Sequence, residues 1–182
     1  MKAVSPFDFY IQRKLFIHNL GHAICAYQGA LHGHRFIWEA IRDPEVRAMC
    51  RGAMRESAMA LVMEHHVDPL DLETYVDDLI LRFSNRKLGD TIERVGREPE
   101  RKLAPDDRLV GALRLCMRHN LPCPFILKGI AAALHCLGTI RGDAGLPVRM
   151  SSEETLAQLC GIHPDSWAHA RIIGYLHTMD SR

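Results

Sequence analysis

The sequence has 182 residues, of which 47% are hydrophobic and 25% are charged, and its formal net charge is +1. This length is typical of one domain, and this composition is typical of globular proteins and not of disordered ones. Because 23 basic residues are balanced by 22 acidic ones, no global positive field is available to hold a nucleic acid or an anionic membrane. We therefore expect a single folded domain over 1–182 that binds neither nucleic acid nor membrane.

Six cysteines are scattered singly through apolar stretches, without the paired spacing of a metal or disulfide motif. This usage is typical of buried thiols in a reducing compartment. Residues 1–10 lack the features of a secretory signal, and the longest apolar run, around 130–137, is shorter than the roughly 18 residues of a membrane span. We expect a cytoplasmic location.

Apolar residues recur at helical spacing in most long segments, and strict alternation is nearly absent after residue 10. This pattern predicts an all-α domain of several helices. The predicted helices lie over 13–31, 44–65, 72–83, 105–120, 125–137 and 152–160, with a last one from Pro164 onward. N-capping residues or prolines mark their starts at Asp43-Pro44, Pro105-Asp106-Asp107, the capping box Ser151–Glu154, and Pro164. Gly138 predicts the end of the most buried helix, and residues 139–149 predict a loop.

The helix over 13–31 has an apolar face and an unusual polar face. At about 100° per residue, one arc collects the apolar residues Phe16, Leu20, Ala23, Ile24, Tyr27 and Leu31. The opposite side carries Lys14, His18, Asn19 and His22 within about 12 Å of helix axis. An ordinary solvated face is one interpretation of these residues, and two chemical ones compete with it.

The first chemical interpretation is zinc, since His18 and His22 stand four residues apart. The segment between them lacks the glutamate of H-E-x-x-H and no third ligand is evident. We therefore expect no stoichiometric zinc and no metal ligands in this chain, despite its eleven histidines. The second is catalytic. A partly desolvated lysine such as Lys14 can lower its pKa to about 7–8 and act as a general base. An amide such as that of Asn19 can then stabilise negative charge that develops on oxygen.

Segment 13–23 reads RKLFIHNLGHA and contains the pattern K-x₄-N-x₂-H, formed by Lys14, Asn19 and His22. This pattern resembles the signature of the polyol-specific long-chain dehydrogenases, in their mannitol dehydrogenase C-terminal domain. The resemblance covers roughly residues 10–138. It implies a compact all-α, multi-helix domain similar to the C-terminal domain of 6-phosphogluconate dehydrogenase-like enzymes.

The resemblance also implies an activity: a zinc-independent, NAD-dependent oxidation of a secondary alcohol of a sugar alcohol, or reduction of the matching ketose. The choice between NAD and NADP stays open. By position in the pattern, Lys14 would be the general base or acid, Asn19 would hydrogen-bond the reacting oxygen, and His22 would position a substrate hydroxyl. The rival interpretation is a stand-alone helical interaction module that keeps the family fold without catalysis.

Two further stretches extend the resemblance. One is the run 82–85 with Asp90 and Arg94, and the other is RVGREPERKL at 94–103, which is similar to the mannitol-1-phosphate 5-dehydrogenase branch. The implied substrate is then a phosphorylated polyol, and its implied binding residues are Arg94, Arg97, Arg101 and Lys102. A solvated loop is an equal alternative for this basic stretch, which extends to Arg108 and also contains acids. Arg97 and Arg101 would share a face on a helix, although Pro99 between them favours a loop.

No G-x-G-x-x-G occurs in the sequence, and no strand, glycine turn and helix unit is predicted that could hold a pyrophosphate. We therefore expect NAD to be bound mainly by a Rossmann-like domain absent from this chain, and we predict no cofactor-binding residue here. Residues 1–12 would be the linker from that domain, extended over 1–10. The chain is then an excised piece, a gene fragment or a subunit that works with a separate nucleotide-binding partner. The face that met this domain could also pair with a second copy.

Other histidines are expected to have structural roles. His32 and His34 flank Gly33 after the first long helix, and His65-His66 ends another. We expect both pairs to be surface or capping residues and not metal ligands. His135 is expected to be a hydrogen-bonded core histidine.

Overall fold

A computed structural model describes residues 6–140 and 151–180, and the regular structure in these ranges is helical. The elements are α1 (Pro6–Arg13), a π-helix (Lys14–Asn19), α2 (Leu20–Leu31), α3 (Ile37–Ala40), α4 (Pro44–His65), α5 (Pro69–Phe83), a 3₁₀ turn (Arg86–Leu88), α6 (Ile92–Gly96), α7 (Pro99–Lys102), α8 (Val110–Arg118), α9 (Pro124–Ile140), α10 (Ser152–Gln158) and α11 (Trp167–Asp180). No strand occurs in these ranges, apart from a single antiparallel bridge between Phe36 and Thr91. The all-α prediction is confirmed.

Helix α2 lies at the centre of the domain. It packs against α3, α4, α6 and α9, and nine of its twelve residues are buried. Small residues allow the neighbouring helices to approach α2 closely. At Gly29, for example, an added Cβ would lie only 2.7 Å from the Cβ of Ala40, which is too close for two carbon atoms. The polar residues of the K-x₄-N-x₂-H pattern therefore stand at the N-terminal end of a helix that is otherwise enclosed.

The long helices follow their predicted patterns. Residues at helical spacing along α4 form its buried face, namely Val46, Cys50, Ala53, Ser57, Ala60 and Leu61. Asp43 caps this helix, since its Oδ1 accepts hydrogen bonds from the backbone N–H groups of Glu45 (2.9 Å) and Val46 (3.4 Å). The capping box of α10 is also confirmed, with Ser151 and Glu154 bonded reciprocally.

Four predicted helix boundaries or segments are wrong. Helix α8 begins at Val110 and not at Pro105, because 105–109 form turns in which Asp107 N–H donates to the Ala104 carbonyl at 3.0 Å. Helix α11 begins at Trp167 and not at Pro164. There the Ser166 hydroxyl accepts a bond from the Ala168 N–H at 3.3 Å, and Pro164 falls in the preceding turn.

The other two corrections concern α9 and α1. Gly138 does not end α9, which continues to Ile140, and the rest of the predicted loop, 141–149, lies outside the described residues. Residues 6–10 are helical and not extended. A reason is packing on α4: the Phe9 ring lies 5.3 Å from that of His65, which bonds Gln12 at 2.9 Å. Leu31, predicted to be in the core, is 37% exposed at the end of α2.

Several smaller predictions concern cysteines, histidines and membrane spans. All six cysteines are free and buried, as predicted. His66 ends α4 in the left-handed conformation with φ 54°, which matches the predicted capping role. Across the two described ranges, no helix has the length and apolarity that crossing a bilayer requires.

Candidate active site

The K-x₄-N-x₂-H residues lie where α1 passes through the π-helix into α2. The Leu20 N–H bonds the Leu15 carbonyl, five residues back, as a π-helix requires. On a regular α-helix, Lys14 and Asn19 would point about 140° apart, since five residues turn the chain by about 500°. The wider π turn brings side chains five residues apart closer to one direction. The π-helix therefore brings Lys14 and Asn19, which are five residues apart, closer to the same side of the helix than a regular α-helix would.

The three pattern residues differ in exposure. Lys14 is exposed, whereas Asn19 and His22 are half-buried. Among the side chains that the structure describes, neither Lys14 nor Asn19 has a hydrogen-bond or ion-pair partner. The partial desolvation that we expected at Lys14 is therefore not provided by this part of the chain.

His22 is held between an aromatic ring and a carboxylate. Its ring stacks on Phe83 with centroids 5.0 Å apart and planes at 16°. Its Nε2 lies 3.4 Å from Oδ2 of Asp90, whose Oδ1 forms a close ion pair with Arg94. Because Arg94 already neutralises this carboxylate, Asp90 does little to stabilise a protonated imidazole at His22.

The electrostatic surroundings keep His22 uncharged. Burial lowers the pKa of His22 to about 4, and neighbouring cationic groups act in the same direction. These groups are, in decreasing order, His18, Arg94, Arg108 and Lys102. A neutral imidazole has one nitrogen that donates and one that accepts, which suits it to bind a hydroxyl group.

His18 is the second imidazole of this helix face. Its ring lies 6.2 Å from that of His22 and 5.8 Å from that of Phe83. Burial lowers its pKa, with further contributions from Arg82 and Lys14. Within 6–140 and 151–180, no third ligand side chain joins His18 and His22 in a metal-binding group. The absence of zinc from this pair stays a prediction.

The buried cation of this region is Lys102. Only 4% of the surface of this residue is exposed. Burial, together with Arg108 and Arg101, lowers the pKa of Lys102 to about 8. The desolvated lysine that the sequence suggested at Lys14 is therefore found at Lys102, which comes from α7 and lies close enough to His22 to affect its pKa.

Arg97 and Arg101 form separate ion pairs. Both are exposed, and each is paired with an acid of its own segment: Arg97 with Glu93 at 3.7 Å and Arg101 with Glu98 at 2.9 Å. They also share no helix, because Arg97 follows the end of α6 and Arg101 lies in α7. Arg94 is different, since its partner Asp90 links it directly to His22.

Three residues that were not among the predicted site residues also contact or influence His22: Phe83, Asp90 and Arg108. Phe83 belongs to the run 82–85 of the family resemblance, but nothing in the sequence places its ring against two imidazoles. Asp90 stands four residues before Arg94, which is the spacing of a helical ion pair, so this contact could have been found from the sequence. Arg108 is largely buried and bonds Asp107 at 2.8 Å, and only the tertiary structure brings its charge near His22.

Two solved structures resemble the whole fold. D-sorbitol dehydrogenase in substrate-free form is similar with a TM-score of 0.73 and 20% identity, over 97% of this chain and 40% of that one. Pseudomonas fluorescens mannitol 2-dehydrogenase, in a ternary complex with NAD and D-mannitol, has a TM-score of 0.65 and 18% identity, over 98% of this chain and 39% of that one. The chain thus spans about two fifths of each of these proteins.

A family match accompanies this likeness in fold. Residues 6–145 match the family described as the mannitol dehydrogenase C-terminal domain. The match spans most of the 182 residues and includes the π-helix, α2 and the segment from Asp90 to Arg108. The chain therefore belongs to the mannitol dehydrogenase C-terminal domain family.

Proposed function

We propose that this chain is the substrate-binding and catalytic domain of a polyol dehydrogenase, which interconverts a secondary alcohol of a sugar alcohol and the matching ketose. The observation that carries the proposal is the junction of the π-helix and α2, where Lys14, Asn19 and an uncharged His22 stand together. Family membership supports the reaction class. The D-mannitol bound by the second structural neighbour supports the substrate class.

Each residue of the pattern has a defined task in this proposal. In its uncharged form, the Lys14 amine accepts the proton of the reacting hydroxyl group and becomes an ammonium group, as a general base does. The Asn19 amide donates a hydrogen bond to the same oxygen as negative charge develops on it. His22 holds a neighbouring hydroxyl, since Asp90 and Phe83 fix its ring and burial keeps it neutral.

The hydride acceptor would be the nicotinamide of NAD, the cofactor present in the second structural neighbour. The described residues do not fit its pyrophosphate, because they contain no strand, glycine turn and helix unit. We propose that a nucleotide-binding domain outside this sequence holds NAD and covers Lys14. Exposed apolar side chains of α1, namely Phe7, Tyr10 and Ile11, support such a covered surface.

The test is Lys14→Met in a protein that joins this chain to a nucleotide-binding domain. Loss of the general base should lower kcat by about 100-fold or more while KM changes little. Lys87→Met, in the exposed 3₁₀ turn, is the matched control and should keep full activity. If Lys14→Met retains normal kcat, Lys14 is not the general base. If the native joined protein itself turns over no sugar alcohol, a non-catalytic interaction module becomes the better explanation.

A finer proposal is that the polyol is phosphorylated, as in mannitol 1-phosphate. Support comes from the similarity of 94–103 to that branch and from Arg94, Lys102 and Arg108, whose charges all lower the pKa of His22. Against it, Arg97 and Arg101 are already paired with acids. Variants of Arg97 and Arg101 therefore test whether the substrate is phosphorylated.

Arg97→Ala and Arg101→Ala should be compared on mannitol 1-phosphate and on free mannitol. Loss of a charge-assisted contact to phosphate should cost about 1.5–3 kcal/mol, or one to two powers of ten in apparent affinity, for the phosphorylated substrate alone. Equal effects on both substrates, or none on either, would mean that these arginines are ordinary surface residues.

A further inference from the structure

The loop after α2 and the start of α4 bring together three side chains that can bind a metal. Asp43 Oδ2 lies 3.2 Å from Nδ1 of His32 and 3.0 Å from Nε2 of His34. The three ligand atoms all lie within 4.8 Å of one another. Across 6–140 and 151–180, these residues form the one group of three or more such side chains with this geometry.

The distances are close to those of a four-coordinate metal. Zinc holds nitrogen and oxygen ligands at about 2.0–2.1 Å, so neighbouring ligand atoms of a tetrahedral site stand about 3.4 Å apart. The two separations from Asp43 are already 3.0 and 3.2 Å. Only the separation between the two imidazole nitrogens has to adjust, and the side chain of His32 is partly exposed and can rotate.

The surroundings hold Asp43 in place and offer a carboxylate to His32. The other oxygen of Asp43 caps α4 by accepting the N–H groups of Glu45 and Val46, so Oδ2 is directed toward the imidazoles. The second ring nitrogen of His32 lies 3.8 Å from a carboxylate oxygen of Glu45. A carboxylate behind a metal-bound histidine orients the ring and strengthens it as a ligand.

We propose that His32, His34 and Asp43 bind a divalent transition-metal ion such as Zn²⁺, with one coordination position left open. Two imidazoles and a carboxylate are borderline ligands that suit zinc and its neighbours better than Mg²⁺ or Ca²⁺. His32 lies ten residues beyond His22, which is roughly 15 Å along α2. The metal would therefore join the end of α2 to the start of α4 and take no part in the candidate active site.

This proposal reverses the expectation from the sequence that the chain binds no zinc and that His32 and His34 are not metal ligands, because in the sequence they offer only two ligands. Asp43 is eleven residues beyond His32 and reads as a helix cap. Its second oxygen becomes the third ligand only when the turn at Gly33, with φ 74°, and the short α3 return the chain toward the end of α2.

The experiment is a titration of metal-free protein with Zn²⁺ by calorimetry, and with Co²⁺ by visible absorption. The native protein should bind one ion per chain, and the melting temperature should rise with Zn²⁺. His34→Gln and Asp43→Ser should each weaken binding by about 100-fold, and Glu45→Gln by about tenfold. Serine keeps the helix cap at position 43, so Asp43→Ser separates loss of the ligand from loss of the cap.

The controls use other histidines of the chain. His119→Ala removes an imidazole that is likewise paired with a carboxylate, Glu64 at 2.7 Å, and should leave metal affinity unchanged. The double variant His18→Ala/His22→Ala should also bind Zn²⁺ normally. The proposal is wrong if the native protein binds no stoichiometric metal, if His34→Gln binds as tightly as the native protein, or if only the double variant loses the ion.

Discussion

At the scale of single residues, His22 shows how the fold controls charge. Stacking on Phe83 shields the His22 ring from water. Its carboxylate neighbour, Asp90, is already paired with Arg94, so His22 gains no free counter-ion from it. Its low pKa follows from that burial and from the nearby cations. A histidine in this state can bind a hydroxyl group over the whole physiological pH range without changing charge.

We predict that the imidazole protons of His22 titrate near pH 4 in an NMR experiment, since burial lowers its pKa to about that value. Arg94→Ala should raise this pKa, for two reasons. It removes a nearby cation, and it frees the Asp90 carboxylate to stabilise the protonated ring. A His22 pKa that does not change in Arg94→Ala would contradict the proposed link between these three side chains.

Burial also favours the uncharged form of Glu56 on α4, and for a carboxyl group this raises the pKa. Burial raises the pKa of Glu56 to about 7, although its oxygens accept the N–H groups of Phe125 and Ile126 at the start of α9. The folded protein therefore holds this proton more tightly than the unfolded chain. The contribution to stability is complete below about pH 4.5 and is lost as the pH rises through about 7.

We therefore predict that Glu56→Gln is more stable than the native protein at pH 8, by about 1–2 kcal/mol after allowance for solvent screening. The gain should shrink toward pH 5, where the native carboxyl group is protonated. Thermal melts across this pH range provide the measurement. Glu64→Gln is the control on the same helix: Glu64 bonds His119 and Arg118, both at 2.7 Å, so this variant should lose stability at pH 8.

At the scale of elements, the close packing of α2 depends on glycines. A Cβ at Gly29 would lie 2.7 Å from the Cβ of Ala40 and 2.7 Å from Cδ1 of Ile92. The methyl group of Ala40 cannot move without its backbone, and both neighbours are buried. At Gly174 in α11, no atom of the described residues lies within 4 Å of such a Cβ.

These two glycines give a matched prediction. Gly29→Ala should destabilise the protein by about 1–3 kcal/mol, because overpacking outweighs the gain in helix propensity. Gly174→Ala should stabilise it by up to about 1 kcal/mol, because only the propensity term applies. Denaturant titration of both variants would measure these changes. A Gly29→Ala protein as stable as the native one would show that α3 and α6 do not pack tightly on α2.

At the scale of the whole molecule, the described residues contain the side chains of the proposed active site but no strand, glycine turn and helix unit for a dinucleotide. Hydride transfer needs the nicotinamide within a few ångströms of the substrate carbon. We predict that the 182-residue chain alone neither binds NAD tightly nor forms NADH from mannitol, mannitol 1-phosphate, sorbitol or arabinitol. Calorimetry with NAD and absorbance assays for NADH test this directly, and a robust rate from the purified chain would overturn it.

A related prediction concerns reconstitution. If a nucleotide-binding domain covers the surface around Lys14, adding such a domain in trans should restore part of the activity. The same mixture made with Lys14→Met should stay inactive. Activity that is equal in both mixtures would place the general base elsewhere.

Much of the helical architecture could be predicted because its signals are local. Asp43 before Pro44 starts α4, and apolar spacing sets the buried face of α4 as far as Leu61. The same reasoning failed at Pro105 and Pro164, where a proline that is compatible with a helix start lies in a turn. The local preference of proline allows a helix to start there but does not require it. Nearby hydrogen bonds decide whether the proline lies in a helix or in a turn.

For the candidate site too, some features follow from the sequence and others only from the tertiary structure. The sequence by itself determined which side chains stand at the junction into α2, because the order Lys14, Asn19 and His22 is a property of one short segment. Only the tertiary structure decided that Lys102 is buried and Lys14 exposed, that Asp90 meets His22, and that Asp43 faces His34. Burial and charge pairing depend on groups far apart in the chain, and packing alone sets which of these groups meet.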